Sequence, residues 1–351
     1  MAAGTKQRIL SMDVLRGLTV ALMILVNNGH GESFRQLGHS AWNGLTLCDL
    51  VFPFFLFIMG LSVNLSRKAS WPQILRRTAL ILLICWGIRY FECALKGDFW
   101  PWAHFRLTGV LARIALCYLF AALVRRYVPQ QVVPWLAGGL LAGYAVLLLL
   151  GNGYSPDPSN VLSRVDRFLL GEGHLYAKHP VDPEGLLSTV PAFGHTLLGL
   201  LCGRMLLSDH PLGERLRRMA FYGLLLAAAG LLLSIWLPFN KRVWSPSFAL
   251  FTCGCCALLL ALIAWVVDVR ERKGWTPFFT AFGRNALAVY VLSELLTVLA
   301  RQTGFSGMLY GWITPWCPAP RLASLLYALV FVLVNYLVAY LLYRKRIFIK
   351  L

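Results

Sequence analysis

Two histidines, three asparagines and an aspartate stand in the segment VNNGHGESFRQLGHSAWNGLTLCDLVFPFF (26–55), between two long apolar runs. These are side chains that move protons and acyl groups. An imidazole takes and returns a proton near neutral pH, and as a nucleophile it can carry an acyl group. An asparagine amide donates to a developing oxyanion. A carboxylate such as Asp49 orients an imidazole in the manner of a catalytic triad. On chemistry alone His30 and His39 are both eligible, and Asn27 and Asn28 both end the first apolar run. Gly29 and Gly31 permit close backbone approach, Ser40 or Asn43 is suited to cap a short helix, and Pro53 frees backbone groups inside the second run. Metal chemistry is not expected. His30, His39, His174 and His179 show no H-x-x-x-H spacing, and most of the nine cysteines, including CGCC at 253–256, lie in apolar runs as small hydrophobes.

A second set of polar residues lies where polarity is costly. Arg16, Arg113, Arg284 and Glu294 fall inside apolar runs, and Asp13, Asp49, Arg89 and Glu92 fall near run ends. Such groups pair with one another or face a cavity. Several arginines together suggest an anionic ligand entering from the cytoplasm, because guanidinium is the planar, always-charged partner of phosphate.

The elements that must position these residues are helices in a bilayer. The chain of 351 residues is 58% hydrophobic and 14% charged, with a mean hydropathy of +0.65. The fold class expected is an all-α polytopic membrane protein: one domain over residues 1–351, a bundle of about ten transmembrane helices. The expected spans are 11–29, 46–66, 73–94, 107–125, 131–150, 189–208, 219–238, 246–267, 277–299 and 321–343. Between the fifth and sixth lies a long loop, 151–188, whose Tyr154, Phe168, Leu169, Leu170, Leu175 and Tyr176 argue for an ordered extracytoplasmic cap. No internal repeat is evident, which weakens a transporter built from inverted halves. The first run carries Asp13 and Arg16 and has no small-residue cleavage site, so it is expected to remain as a helix.

The net charge of +18 does not point to nucleic acid, because no basic run is interleaved with aromatics. It resolves instead by loop. Lys6, Arg8, Arg67, Lys68, Arg76, Arg77, Arg125, Arg126, Arg204, Arg215, Arg217, Arg218, Arg270, Arg272, Lys273, Arg344, Lys345, Arg346 and Lys350 are nineteen basic residues on one set of loops. The other set, which includes His39 and the 151–188 loop, holds ten. The richer set is expected to be cytoplasmic, with both termini inside.

The blocks MDVLRGLTVALMILVNN, GHSAWNGLTLCDLVFPFFLFIMG, RFLLGEGHLY, DPEGLLSTVPA and the terminal YRKRIFIK resemble the transmembrane N-acetyltransferases typified by the lysosomal heparan-α-glucosaminide enzyme. The resemblance runs from about residue 8 to the C-terminus, without the extra N-terminal luminal region and first span of the lysosomal protein, which suits a compact bacterial relative in the plasma (inner) membrane.

It implies transfer of acetyl from cytoplasmic acetyl-CoA, the co-substrate, to an amino sugar such as glucosamine or a short oligomer on the far side of the bilayer, by a homodimer. The family pattern H-x-x-W-N-G-L falls on HSAWNGL and selects His39 over His30. The family's V-N pattern falls on Val26-Asn27, with one more residue before the histidine than the family has, so Asn27 or Asn28 takes that role. The D-x-x-R-G and L-x-R patterns fall on Arg16 and Arg113. The expected catalytic set is therefore His39, Asn27 and Asp49. The expected coenzyme-binding set is Arg16, Arg113, Arg284 and Asn285, and Trp42, Asn43, Arg167 and His174 are expected on the sugar. The competing functions are an amino-sugar transporter without chemistry and an acyltransferase acting on a cell-wall or lipid-linked glycan.

Overall fold

The computed structural model describes residues 9–65 and 69–349. Lys6, Arg8, Arg67, Lys68 and Lys350, counted above for orientation, lie outside the described residues. Every regular element among the described residues is helical: α1 (Leu10–Asn27), α2 (Leu47–Leu65), α3 (Trp71–Leu95), α4 (Val110–Tyr127), α5 (Val133–Leu150), α6 (Val161–Leu170), α7 (Thr189–Leu206), α8 (Leu212–Leu233), α9 (Pro246–Ala264), α10 (Thr276–Arg284), α11 (Ala286–Gln302), α12 (Phe305–Ile313) and α13 (Pro320–Arg344), with short 3₁₀ and π turns between some of them.

Helices α1, α2, α3, α5, α8, α9 with its π turn, and α13 are long and apolar enough to cross a membrane, and α10 with α11 is a pair bent by 83° that together is long and apolar enough for a broken span or a re-entrant loop. The chain is a polytopic membrane protein of the all-α class. Each of the ten expected spans has a helical counterpart, with two differences. The run at 277–299 is broken at Asn285, and 219–238 begins earlier, at Leu212. Arg215, Arg217 and Arg218 thus lie on the first turns of α8 rather than in a loop; long basic side chains at a helix end keep their heads in water while their stems cover apolar surface.

Helix α2 runs through the middle, packed by α1, α4, α7 and α9. Its contact with α7 is backbone to backbone. A Cβ on Gly60 would lie 2.1 Å from the Thr196 carbonyl oxygen, and one on Gly199 would lie 2.2 Å from that of Phe57. Small residues permit this approach, which in lipid must be supported by packing rather than by a hydrophobic drive. Within α2, Pro53 has no N–H to give to the carbonyl of Asp49 four residues back. The carbonyl of Pro53 itself accepts from His195 Nε2 of α7 at 2.9 Å.

The two ends of the bundle differ. At one, four connections interlock: Gly44 N donates to Phe239 O (2.7 Å), Trp42 Nε1 to Tyr154 O (2.7 Å) and Leu107 N to His174 O (3.1 Å). Arg106 Nη2 meets Asp182 Oδ1 at 2.6 Å and Glu184 Oε2 at 2.8 Å. At the other end basic residues tie helix termini together, Arg125 to Val63 O, Arg126 to Ala69 O and Arg215 to Leu206 O. Exposed tryptophans ring both ends, Trp100, Trp102, Trp236 and Trp316 at the first, Trp71, Trp135 and Trp275 at the second, as at the two interfaces of a bilayer.

The 151–188 connection is an ordered cap, but not through all the residues expected. Leu162 and Val181 are buried against Tyr144, Leu148 and Val243, and Leu175 is buried as well. Phe168 is 87% exposed and Leu169 also faces outward, because α6 turns its apolar Leu162 face to the bundle and leaves them on the other side.

Candidate active site

The centre of the first end is built by the start of α2. No helix forms at 38–46, so neither Ser40 nor Asn43 caps one there. Thr46 does this instead. Thr46 Oγ1 accepts from Asp49 N at 3.4 Å while Asp49 Oδ2 accepts from Thr46 N at 3.2 Å. This reciprocal capping box satisfies orphan donors at the helix start. Thr46 Oγ1 also lies within donating reach of Oδ2, at 3.0 Å, and Ser40 N adds a third donor there, at 3.1 Å. Asp49 is 0% exposed, and its second oxygen, Oδ1, lies 2.8 Å from His39 Nδ1. One carboxylate therefore starts the helix with one oxygen and orients the imidazole with the other. An Nδ1–H held by Asp49 leaves Nε2 with its lone pair. The His39 side chain is 50% exposed, so the ring reaches solvent at the mouth while its orienting partner is dry.

His30 takes no such part. It is packed between the rings of Tyr310 (4.8 Å) and Tyr327 (5.5 Å). The two asparagines are also separated. Asn28 is buried, donates to Ile24 O at 2.9 Å and accepts from Thr297 Oγ1 at 2.7 Å. Asn27 is exposed, with a long bond of 3.4 Å to Glu294 Oε1.

Trp42 and Asn43 hold the His39 loop in place. The Trp42 indole donates to Tyr154 O and stacks on His179 at 5.3 Å, and Asn43 Oδ1 accepts from Asn240 Nδ2 at 3.0 Å. His179 titrates below the ordinary histidine range, through burial and the nearby Arg242. Arg167 pairs with Glu172 (3.3 Å), and His174 Nδ1 meets Phe105 O at 2.9 Å, inside the cap.

The expected coenzyme set divides between the two ends. Arg16 bonds Asp13 Oδ1 (3.3 Å), Gly283 O (3.3 Å) and Ser62 Oγ (3.0 Å) at the basic end. Arg284 lies 3.8 Å from Asp13 Oδ2, between the rings of Tyr343 and Phe348, and its Nε has no hydrogen-bond partner. Asn285, at the break between α10 and α11, donates to Ile347 O (3.0 Å) and accepts from Ile349 N (2.9 Å). Arg113 is elsewhere. It sits in the first turn of α4 at the His39 end, 1% exposed, donating to Gly185 O at 3.1 Å and to Ser188 Oγ, with its guanidinium over the Trp244 ring.

The structure also adds a residue not singled out in the sequence. Lys241 Nζ lies 3.1 Å from both ring nitrogens of His39 and 3.9 Å from Asp49 Oδ1, with its side chain 13% exposed. Burial pulls its pKa below the ordinary lysine value. Its loop is rigid. Asn240 is fully buried and bonds Ser245 Oγ and Val243 N, Trp244 is fully buried, and Ser245 caps α9. The run NKRVWS, buried polar residues ahead of a capped apolar helix, was the available signal. Cys48 completes the surroundings, its Sγ 3.1 Å from His39 Nδ1.

Residues 8–240 match the family model for the catalytic region of heparan-alpha-glucosaminide N-acetyltransferase. The chain belongs to this family. It is 30% identical to the Homo sapiens heparan-alpha-glucosaminide N-acetyltransferase over 409 aligned positions, which cover 98% of the chain and 60% of the human protein. The Mus musculus protein of that name is also 30% identical, over 360 positions covering 82% of the chain and 54% of the mouse protein. The chain thus spans between half and two thirds of these relatives. His39, Asp49, Asn27, Arg16 and Arg113 fall within the segment that matches the family, and Lys241 falls one residue past it.

Proposed function

We propose that the protein is an acetyl-CoA-dependent N-acetyltransferase that moves acetyl across the bilayer to the amine of an amino sugar. The observation that carries this reading is the half-exposed His39 imidazole held at 2.8 Å by a fully buried, capping-box carboxylate. A carboxylate so placed, besides capping α2, orients the imidazole so that Nε2 can serve as a base or nucleophile toward solvent.

Cytoplasmic termini are the reading supported by the excess of basic residues at the end opposite His39, and a bacterial inner membrane is the setting proposed for it. The coenzyme's anionic portion suits Arg284, whose buried Nε has no hydrogen-bond partner and stands 3.8 Å from the Asp13 carboxylate that Arg16 also holds. Arg16 and Asn27 are eleven residues apart on α1, about 16 Å along the axis, so the thioester must thread inward to reach the His39 level. There His39 Nε2 attacks the thioester carbonyl, the C–S bond breaks with CoA leaving as its thiolate, and the acetyl stays on Nε2, which separates the cytoplasmic donor from the outer acceptor. Asn27, exposed where Asn28 is sealed, donates to the oxyanion. Arg113 supports the outer site by anchoring Gly185 and Ser188. The sugar is taken at the mouth, where the His39 ring reaches solvent. An open face on α5 at Gly138, Gly139 and Gly143, where a Cβ would meet nothing within 4 Å, suits pairing of two copies, and cross-linking in native membranes tests it.

The test is transfer of labelled acetyl from acetyl-CoA to glucosamine by purified protein, wild type beside His39→Ala. Label on the sugar with wild type only is expected, and without acceptor the label is expected on the His39 peptide. Turnover retained by His39→Ala would remove the assignment. Glucosamine uptake into proteoliposomes lacking acetyl-CoA would replace the enzyme with a transporter.

A further inference from the structure

An acetyl group on His39 creates a need that His39 itself cannot meet. The acceptor amine arrives largely as an ammonium at neutral pH, and an ammonium has no lone pair with which to attack. Once Nε2 carries acetyl and Nδ1 is turned to Asp49, the imidazole has no free base. Asp49 is sealed, with Oδ2 accepting from Ser40 N and Thr46 N and Oδ1 facing His39. A second base is required beside the reacting nitrogen.

Lys241 is the titratable side chain that meets this geometry. Its Nζ is 3.1 Å from His39 Nε2, the reacting atom. It comes from the 234–245 connection, held in register by Asn240 on Asn43 and by Gly44 on Phe239. Its hydrogen bonding is telling. A lysine ammonium has three donors to place. Here both close contacts are the ring nitrogens of His39, of which Nδ1 is committed to Asp49, and the Asp49 carboxylate stands at 3.9 Å, beyond hydrogen-bond length. An amine with a lone pair suits this site better than an ammonium. The titratable groups that face it are the Cys48 thiol and the carboxylates of Glu184 and Asp49, which favour its protonated form, and Arg113, which opposes it together with burial.

We infer that Lys241 is the base that deprotonates the acceptor ammonium at the outer face. The inference rests on the acetyltransferase reading above. In the step, one proton passes from the acceptor nitrogen to Lys241 Nζ. The freed lone pair forms the N–C bond to the acetyl carbonyl carbon, and the C–Nε2 bond breaks with its electron pair returning to His39. The second proton lost by the new amide goes to water, and Lys241 releases its own to the outer solution. No oxidant or further reactant is needed. Burial lowers the lysine pKa, which is the direction a lysine acting as a base requires.

The test compares two acceptors, glucosamine and aniline, the second already neutral at pH 7, with labelled acetyl-CoA as donor. In Lys241→Met, transfer to glucosamine is expected to fall about 100-fold or more, the usual loss for a general base, while transfer to aniline changes less than about threefold. Glucosamine transfer by this variant should recover as pH rises and the sugar amine loses its proton unaided. Lys241→Arg, which keeps the length and the positive charge but cannot act as a base, is expected to show the same defect and guards against a folding loss in the methionine variant. Equal losses with both acceptors in both variants, or glucosamine transfer unchanged in either, would overturn the base assignment while leaving the acetyltransferase reading intact. Failure of the wild type with both acceptors would overturn that reading and this inference with it.

Discussion

Replacing Asp49 by asparagine isolates the orienting role of the carboxylate, because the surroundings dictate which way the amide must face. Two backbone N–H groups, Ser40 at 3.1 Å and Thr46 at 3.2 Å, point at Oδ2. Neither can turn, so the amide oxygen must occupy that position to keep the α2 cap. The amide NH₂ is then left 2.8 Å from His39 Nδ1, in the place of Oδ1. A donor there forces Nδ1 to accept and moves the ring proton to Nε2, which removes the lone pair that attacks the thioester. A wrong tautomer of this kind lowers kcat by about 10⁴ in the serine-protease triad, which corresponds to about 5 kcal/mol of transition-state stabilisation. The cap survives with a neutral acceptor in place of a charged one, so stability should fall by only about 1 kcal/mol. The assay is acetyl transfer by detergent-purified protein beside a thermal melt of the same sample. Activity down by three to four orders of magnitude (about 10³–10⁴) with a nearly unchanged melt is expected. Retention of more than about a tenth of wild-type turnover would refute the tautomer argument, and a collapse in melting temperature would show that the carboxylate's main role is structural.

Three further outcomes follow from the same geometry. Asn27→Ala should cut transfer by about 10²–10³ with little change in stability, whereas Asn28→Ala, which breaks the buried bonds to Ile24 and Thr297, should cost about 1–3 kcal/mol; the reverse pattern in paired melts and rate assays would move the oxyanion role to Asn28. Asp182 accepts from Arg106, Thr108 Oγ1, Tyr176 N and Glu184 N, and although burial pushes its carboxyl up, Arg106 and these donors hold it below the usual range. A depressed carboxylate stabilises the fold above about pH 4 and ceases to as pH falls through its folded value, so wild-type melts should drop below that pH; Asp182→Asn should lose about 3–5 kcal/mol at pH 7 and show a flatter acid limb. Gly60→Ala drives a methyl into the Thr196 carbonyl and should destabilise by about 1–3 kcal/mol, while Gly87→Ala on α3, with open space around it, serves as the control; equal melting temperatures for the two would contradict the close α2–α7 contact.

The sequence by itself determined the class of the protein and the end of the bundle where His39 and Asp49 lie. Apolar runs near ~20 residues have one structural outcome in a bilayer, since backbone polar groups must be satisfied within the segment. His39 and Asp49 were legible as a pair because they are local, ten residues apart and joined by a capping box written as Thr46-x-x-Asp49. The depth of Arg113 was legible too, since it stands in the first turn after an outer connection, but treating all buried arginines as one coenzyme set obscured it.

Tertiary structure alone decided what depends on packing between distant segments. Lys241 reaches His39 from 202 residues away, and no periodicity or spacing links the two. Which of Asn27 and Asn28 is sealed against Thr297 and which is exposed is set by how α1 leans on α11. The outward placement of Phe168 and Leu169 follows from the rotation of α6 on the bundle. An apolar run states that a residue is in a helix and at what height; its neighbours at that height are chosen by which helices pack side by side and how each is turned.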